Sequence, residues 1–465
     1  MLRPPRRPSR ASAQAPLQSG EAEELRRSEQ PAAYDRPFWL AYVSNLFVSS
    51  AIALLYRYAD FVSLLGGTEF HLGWIVGIGM VGSLAMRLVL GSWIDRYGAG
   101  LLWLGSLLLF AVTCLVHLAI ASHTGAAIYL LRIAYCCAVA GLGGASTTFV
   151  SMRTPNYRLA EVVGMFGTAG FLGVVVGTVL GDFLFSSIAV ASVQVAEMFI
   201  VAAVLGFLAI PFAWAAGRGS GFKVQSSETT NRQIGRSANL RISKSANLQV
   251  CKSPNSSEPS QLAILRRYSP GMILVIVVTM GMALGLPSTF LRTYATDQGI
   301  PRIGLFFLVY CIAAVVIRVP TRRWSERFGP RPIILGGMAG MTASVAIFPL
   351  VHSEWQLALP AVGFGCSHGV LWPAVLAAGS VAFPPKNRGL ATILLLAAWD
   401  MGLFVASPSV GVILSYAHSI GLPPYPTMFL SMAGLLTVVT LWYAATRSKA
   451  LPEAASERKR EQKAA

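Results

Sequence analysis

The stretch that decides the fold ends a long apolar segment and reads Arg87-Leu-Val-Leu-Gly91-Ser-Trp93-Ile-Asp95-Arg96-Tyr97-Gly98. A second copy lies in the other half of the chain and reads Arg318-Val-Pro-Thr-Arg-Arg-Trp324-Ser-Glu326-Arg327-Phe328-Gly329. The arginine, tryptophan, acid, second arginine, aromatic residue and glycine keep the same spacing in both copies. An internal repeat of this kind indicates that the molecule has two structurally related halves.

The composition around these copies is that of a membrane protein. Of the 465 residues, 54% are hydrophobic and only 12% are charged, and the mean hydropathy is +0.59. A soluble domain carries about twice this charged fraction. Twelve apolar segments have about the 20 residues that a helix needs to cross a bilayer. They lie near 38–60, 72–92, 101–121, 126–150, 162–185, 193–215, 270–291, 303–321, 332–352, 356–379, 389–416 and 426–446.

Basic residues predict the orientation of these segments. Most of the 37 Lys and Arg residues fall in the two tails and in alternate connections, namely 92–101, 151–161, 216–267, 322–332 and 380–388. In the remaining connections only Arg302 is basic. The positive-inside rule therefore predicts a multi-pass protein of the cytoplasmic (inner) membrane with both termini in the cytoplasm. The net charge of +17 predicts contact with anionic lipid head groups rather than with nucleic acid.

The predicted fold class is an all-α integral membrane protein with twelve transmembrane helices in two pseudo-symmetric six-helix bundles. Residues 1–37 have no apolar signal-peptide core and are expected to be a disordered cytoplasmic tail. The first bundle is predicted at 38–215 and the second at 268–446, joined by a basic, flexible cytoplasmic linker at 216–267. A cytoplasmic tail follows at 447–465. We expect the chain to be a monomer.

The six cysteines do not predict a metal site. They form no Cys-x-x-Cys pair, and no histidine lies near them at a metal-binding spacing. Most lie in apolar segments, where cysteine acts as a small packing residue. We therefore expect neither a cofactor nor a disulfide framework.

Several motifs resemble those of major facilitator superfamily transporters. The pattern Gly91-x-x-x-Asp95-Arg96-x-Gly98 is similar to the loop motif between the second and third helices of that family, although Ala99 stands where a basic residue is usual. The runs from Gly365 to Pro373, from Pro384 to Gly389 and from Trp399 to Gly402 resemble helices 10 and 11 of many members. The resemblance implies a small-molecule substrate, alternating access and no enzymatic activity.

By the same resemblance, the duplicated charged turns form a gating motif. It comprises Gly91, Asp95, Arg96, Gly98, Glu326, Arg327 and Gly329. The motif would hold the cytoplasmic side closed in one state of the transport cycle. Its carboxylates lie between two helices, where they can accept hydrogen bonds from the free N–H groups of a helix N-terminus. The alternative is that the turns merely obey the positive-inside rule.

Ionisable residues within the spans are predicted to face a cavity or a partner, because charge is costly in lipid. Near the outer surface, Arg57, Arg132 and Arg292 fall on helices 1, 4 and 7, which line the central cavity in the family that the chain resembles. Three converging arginines predict an organic anion as substrate, and Tyr135 lies one turn from Arg132. Structural ion pairing is the alternative for the arginines, and it is the expectation for Asp60, Asp182 and Glu197.

Near the midplane, His368 and Asp400 are candidates for proton coupling. A histidine titrates near physiological pH, and burial can bring a carboxyl group into the same range. Trp372, one turn from His368, is a further candidate for the cavity wall. Both titratable groups can instead have a purely structural role.

The predicted function is secondary active transport of a small solute. Two other functions stay open at this point. An integral membrane enzyme acting on a lipid-linked substrate would need an interfacial cluster of His, Asp or Glu. A sensor that has the same fold but does not transport would need no such cluster.

Overall fold

The computed structural model describes residues 34–154, 158–185, 191–218, 261–321, 324–384 and 388–446. Twelve helices in these ranges are long and apolar enough to span a membrane. They are α1 Arg36–Leu64, α2 Glu69–Tyr97, α3 Ala99–His117, α4 Ala126–Arg153, α5 Glu161–Leu184, α6 Ser192–Arg218, α7 Met272–Asp297, α8 Gly304–Thr321, α9 Pro330–Leu350, α10 Trp355–Val381, α11 Gly389–Ser419 and α12 Pro424–Ala445. Each coincides with one predicted segment to within a few residues, which confirms the fold class.

The packing partners of the helices repeat between the two halves. Helix α1 packs on α5, α2 on α4, and α3 on α6; in the second half α7 packs on α11, α8 on α10, and α9 on α12. The duplicated stretch is therefore the sequence trace of a duplicated six-helix unit. The bundle has two ends. We call the end that carries Arg36 and Ala445 the termini side, and the end that carries Leu64 and Glu69 the far side.

The two halves meet along two interfaces, and the helices pack more extensively at one than at the other. Helices α2 and α11 pack together extensively, and a Cβ atom on Gly73 would meet the backbone of Ser407. Gly77, one turn further, lies against the ring of Pro408. Helices α5 and α8 touch much less, and their closest approach brings Gly304 against Asp182 at the far side. Glycine is what lets α2 and α11 approach at backbone distance.

The glycine-rich face of α5 packs against α1 within the first half. A Cβ atom on Gly177 would meet the carbonyl oxygen of Ser50, and one on Gly173 would meet Ser49. These glycines therefore let α5 and α1 approach at backbone distance. Gly164, nearer the termini side, has nothing within 4 Å of such a Cβ atom.

The glycine that ends each copy of the repeat has a backbone conformation that other residues avoid. Gly98 has φ 84°, and Gly329 has φ 78°. Gly98 lies between α2 and α3, and Gly329 immediately precedes α9. A side chain at such a φ would be strained, so both turns require glycine.

The linker prediction needs a correction at its described ends. Helix α6 continues to Arg218, and residues Gln261–Tyr268 form a short helix in which Ile264 and Leu265 are half-buried. Burial of these apolar side chains supports helix where a flexible chain was expected. The predictions for 219–260 and for most of the two tails lie outside the described residues.

Candidate functional site

A central cavity of about 450 Å³ lies between the two halves. Its wall comes from α1 and α5 of the first half and from α7, α8, α10 and α11 of the second. Seven aromatic residues dominate it: Tyr56, Phe171, Phe306, Phe307, Tyr310, Phe364 and Trp399. Within the described ranges, no charged side chain belongs to the wall, and its polar side-chain groups are the hydroxyls of Ser49, Ser288 and the two tyrosines and the indole N–H of Trp399. Such a surface suits an apolar solute that carries a ring.

The tyrosine at 310 is fixed by His368, which lies behind the wall. The Tyr310 hydroxyl is 2.5 Å from Nδ1 of His368, and the two rings are stacked. The ring of Trp399 lies 5.8 Å from that of His368 and 5.2 Å from that of Trp372. The predicted cavity residues His368 and Trp372 therefore support the aromatic wall from outside and do not line it.

Four charged side chains form what we call the far-side network: Arg57, Asp60, Asp182 and Arg292. Arg57 donates to Asp182 at 2.7 Å and to Asp60 at 3.2 Å. Arg292 donates through Nε to both oxygens of Asp60, at 3.0 and 3.1 Å. Both arginines are almost fully buried. A buried charge of this kind is tolerated only when it is paired.

The far-side network joins the two halves in three places, one of which is the hydrogen bond of 3.3 Å from Arg57 to the carbonyl oxygen of Pro301. The pair of Asp60 with Arg292 links α1 to α7. Asp182 on α5 also accepts the backbone N–H groups of Ile303 (3.1 Å) and Gly304 (2.6 Å) at the start of α8. A carboxylate at a helix N-terminus is stabilised by the free N–H groups and by the helix dipole. A 3₁₀ turn at Leu55–Arg57 interrupts α1 at the position of Arg57, so this arginine of the network lies at a break in the helix.

The predictions for this layer have mixed outcomes. The expected ion pairing of Asp60 and Asp182 is confirmed. Glu197 is exposed and has no ion pair in the described part of the chain, because it lies on the outer surface of α6. Arg57 and Arg292 do not line the central cavity, because the two acids hold them at the far side. Arg292 instead borders a separate far-side depression of about 930 Å³.

Arg132 lies in the interior of the first half and not at the central cavity. Its guanidinium carbon is 4.2 Å from the ring centre of Tyr58 and 4.6 Å from that of Tyr135. Gly79 on α2 leaves room for its side chain. The predicted convergence of three arginines on the cavity is therefore wrong. Nε and Nη1 of Arg132 are nonetheless buried without a hydrogen-bond partner among the described atoms.

Asp400 joins the two halves on the α2–α11 interface. Both its oxygens accept from the guanidinium of Arg87, one of them from Nη2 at 3.2 Å, and Ser83 donates to it at 2.5 Å. Asp400 is buried. The sequence prediction for Asp400 missed this arginine, although Arg87 begins the duplicated stretch.

The described side chains of the gating motif make no hydrogen bond or ion pair at the termini side. Asp95 and Arg96 are exposed; Arg96 lies over the ring of Tyr97, and Arg327 lies over that of Phe328. Asp95 makes no hydrogen bond or ion pair with any described residue, and no side chain caps α3. The expected capping by Asp95 is therefore wrong, because Asp95 lies in the last turn of α2. The side chain of Glu326 lies outside what the structure describes.

The candidate site residues that the sequence did not predict are mainly aromatic. Phe171, Tyr310 and Trp399 line the cavity, but aromatic residues are common in membrane helices and carry no signal of their own. Arg318 was quoted only as part of the repeat. It is half-buried, and its guanidinium carbon lies 5.0 Å from the ring centre of Phe171. Its correspondence with Arg87 was the available signal.

Comparison with known proteins agrees with this architecture. The family model described as Major Facilitator Superfamily matches residues 38–306 and 273–465. The chain is 28% identical over 178 residues to the inner membrane transport protein YajR of Escherichia coli, which is 38% of this chain and 36% of that protein. It is 25% identical over 186 residues to the uncharacterized MFS-type transporter YhhS of Salmonella typhimurium, which is 38% of this chain and 44% of that protein. The matches thus span less than half the length of these relatives. The crystal structure of the nucleoside transporter NupG superposes with a TM-score of 0.65, covering 88% of this chain and 98% of that chain at 13% identity, and so shares the fold.

Proposed function

The chain belongs to the Major Facilitator Superfamily, a family of transporters, and from this premise we propose that it moves a small organic solute across the cytoplasmic membrane by alternating access through the central cavity. One observation carries the proposal. The cavity lies between the halves, and the far-side network joins those halves just beyond it. A binding site that is closed at one end by breakable polar contacts is what alternating access requires.

The proposed orientation places both termini in the cytoplasm, as the distribution of Lys and Arg predicts. The far side then faces outward, and the far-side network is the closed outer gate. The described cross-half hydrogen bonds and ion pairs lie at the far side and at Asp400, and the gating motif takes part in none of them. These contacts support an inward-facing state of the cycle.

Cysteine accessibility tests this function. In a chain whose six native cysteines are replaced, Ser288→Cys places a thiol in the cavity wall, and Thr296→Cys places one in the far-side depression. We expect a membrane-impermeant thiol reagent to label the Ser288→Cys variant from the cytoplasmic side and the Thr296→Cys variant from outside. Labelling at 288 that is faster from outside would contradict the proposed state, and labelling of 296 only from the cytoplasm would contradict the orientation.

We propose that the gating motif closes the cytoplasmic side in the opposite, outward-facing state. Asp95→Asn and Arg96→Ala should then favour the inward-facing state, because they remove contacts made only in the other one. If the gating motif stabilises the outward-facing state by ~1 kcal/mol, its loss changes the ratio of the two states about fivefold. The measurement is the rate of labelling at Ser288→Cys from each side, with the melting temperature as the control for folding. Unchanged labelling together with lost transport would assign the motif another role.

Asp400 and His368 are the proposed proton-coupling residues. A proton on Asp400 would remove the negative charge that holds Arg87 across the α2–α11 interface, so protonation there is coupled directly to contact between the halves. His368 contacts only its own half among the hydrogen bonds described, through Tyr310. The geometry therefore favours Asp400 as the coupling group.

The geometry does not favour Arg132 as a substrate contact, because its guanidinium lies between the rings of Tyr58 and Tyr135 in the interior of the first half, away from the cavity wall.

A further inference from the structure

Arg87 and Arg318 hold the same position in the duplicated stretch. Each lies on the second helix of its half, α2 or α8, and each points across an interface to the other half. Arg87 meets α11, and Arg318 meets α5. The two interfaces are therefore equivalent places in a pseudo-symmetric molecule, and their chemistry can be compared directly.

The charge of Arg87 is balanced, and that of Arg318 is not. On the α2–α11 interface both oxygens of Asp400 accept from Arg87. On the α5–α8 interface Phe171 takes the corresponding place, with its ring centre 5.0 Å from the Arg318 guanidinium carbon. Nε of Arg318 is buried without an acceptor, and no carboxylate in the described part of the chain pairs with Arg318. A ring face attracts the cation but accepts no strong hydrogen bond.

The unbalanced arginine lies beside the substrate cavity. Phe171, which it contacts, is part of the cavity wall and lies 6.4 Å from the ring of Tyr310 and 6.3 Å from that of His368. Tyr310, also in the wall, precedes Arg318 by about two turns of α8, roughly 12 Å at 1.5 Å per residue. Arg318 thus marks the end of the cavity nearer the termini side. A solute with its ring among the aromatic residues could direct a charged group toward this guanidinium.

We propose that Arg318 binds the carboxylate of an aromatic organic anion whose ring occupies the central cavity. This inference rests on the proposed transport function and names its substrate class. The other arginines at the interfaces differ from Arg318 in charge balance, although Nη1 and Nη2 of Arg292 are also buried without a hydrogen-bond partner among the described atoms. Asp60 and Asp182 neutralise Arg57 and Arg292, and Asp400 neutralises Arg87. An aromatic wall without charge would hold the ring, and the guanidinium would select for the anion.

The test uses 2-naphthoate and its neutral isostere 2-naphthamide on the full chain in lipid nanodiscs, with binding measured by calorimetry. We expect the parent to bind 2-naphthoate at least about tenfold more tightly than the amide, since a charged hydrogen bond is at stake. Arg318→Gln should abolish this preference and leave binding of the amide unchanged. Arg318→Lys should give an intermediate preference, because it keeps the charge without the fork. Trp399→Leu, a change in the cavity wall, should weaken both probes.

A second variant guards against misfolding of Arg318→Gln. Phe171→Asp supplies the carboxylate that the α5–α8 interface lacks, so it should occupy Arg318 and remove binding of 2-naphthoate while the arginine is intact. Equal binding of both probes to the parent, or no saturable binding of 2-naphthoate, would overturn the inference. If Trp399→Leu still weakened the amide in that case, the cavity and the proposed function would stand without the anion. If Trp399→Leu weakened neither probe, the cavity assignment would fail instead.

Discussion

Asp60→Asn is expected to destabilise the protein and to open its far side. Asp60 is the shared acceptor of Arg57 and Arg292, and asparagine keeps its shape while losing the negative charge. Two buried guanidinium groups would then share the single carboxylate of Asp182. Removing one partner of a buried ion pair costs about 3–5 kcal/mol. We expect part of this loss as a lower melting temperature and part as a shift toward the state in which the far-side network is broken.

The two effects are separable by measurement. Thermal unfolding reports the loss of stability, and labelling of Ser288→Cys from outside reports opening of the far side. Ser63→Ala is a matched control, because Ser63 lines the same far-side depression and its hydroxyl makes no described hydrogen bond. Asp60→Glu, which retains the charge, should fall between the control and Asp60→Asn. If Asp60→Asn matched the control in both measurements, the network would not be a gate.

Breaking the pair of Arg87 with Asp400 on the α2–α11 interface is expected to lower the stability of the protein by a comparable amount. Arg87→Gln leaves a buried carboxylate without its cation, and Asp400→Asn leaves the cation without its carboxylate. Each change should cost about 3–5 kcal/mol of unfolding free energy. The double variant should cost less than the sum of the two, by up to about 3 kcal/mol, because no uncompensated charge remains.

The same variants test proton coupling. If Asp400 carries the coupling proton, the ratio of Ser288→Cys labelling from the two sides should depend on pH in the parent, and Asp400→Asn should remove that dependence. The ratio is compared because the reactivity of the thiol itself rises with pH. The control is His368→Gln, which removes the other candidate and should leave the dependence in place. A pH dependence that persists in Asp400→Asn but disappears in His368→Gln would transfer the role to the histidine. In the stability measurement, a double variant whose loss of unfolding free energy equals the sum of the two single losses would show that Arg87 and Asp400 do not interact.

The fold was largely predictable because the bilayer imposes it. A span must be apolar for about 20 residues, and the chain between spans must carry the charge. Segment boundaries could therefore be drawn from composition alone, and the repeat at Arg87 and Arg318 gave the two halves. The error at the linker has the same origin, since a helix outside the membrane such as Gln261–Tyr268 is not required to be apolar throughout.

The sequence predicted how deep in the membrane the candidate site residues lie, but not which side of its helix each one occupies. Counting along the helices placed Arg57, Asp60 and Arg292 in one layer, which the structure confirms. Which side of its helix each residue occupies depends on packing between segments far apart in sequence, as the contact of Arg87 with Asp400 illustrates. The predicted site residues were mostly ionisable, because charge in a membrane is rare and indicates a function. Aromatic residues are common there, so the wall around Trp399 gave no comparable signal.

The glycines at 98 and 329 give the two halves of the molecule the same turn conformation. The two turns share tryptophan, arginine and glycine, and Asp95 in one corresponds to Glu326 in the other. The left-handed backbone at the turn has been retained in both, at φ 84° and 78°. Both loops therefore set the direction in which the chain re-enters the bilayer by the same backbone conformation. A loop grafted from one half to the other would transfer that direction intact, whatever charges it carried.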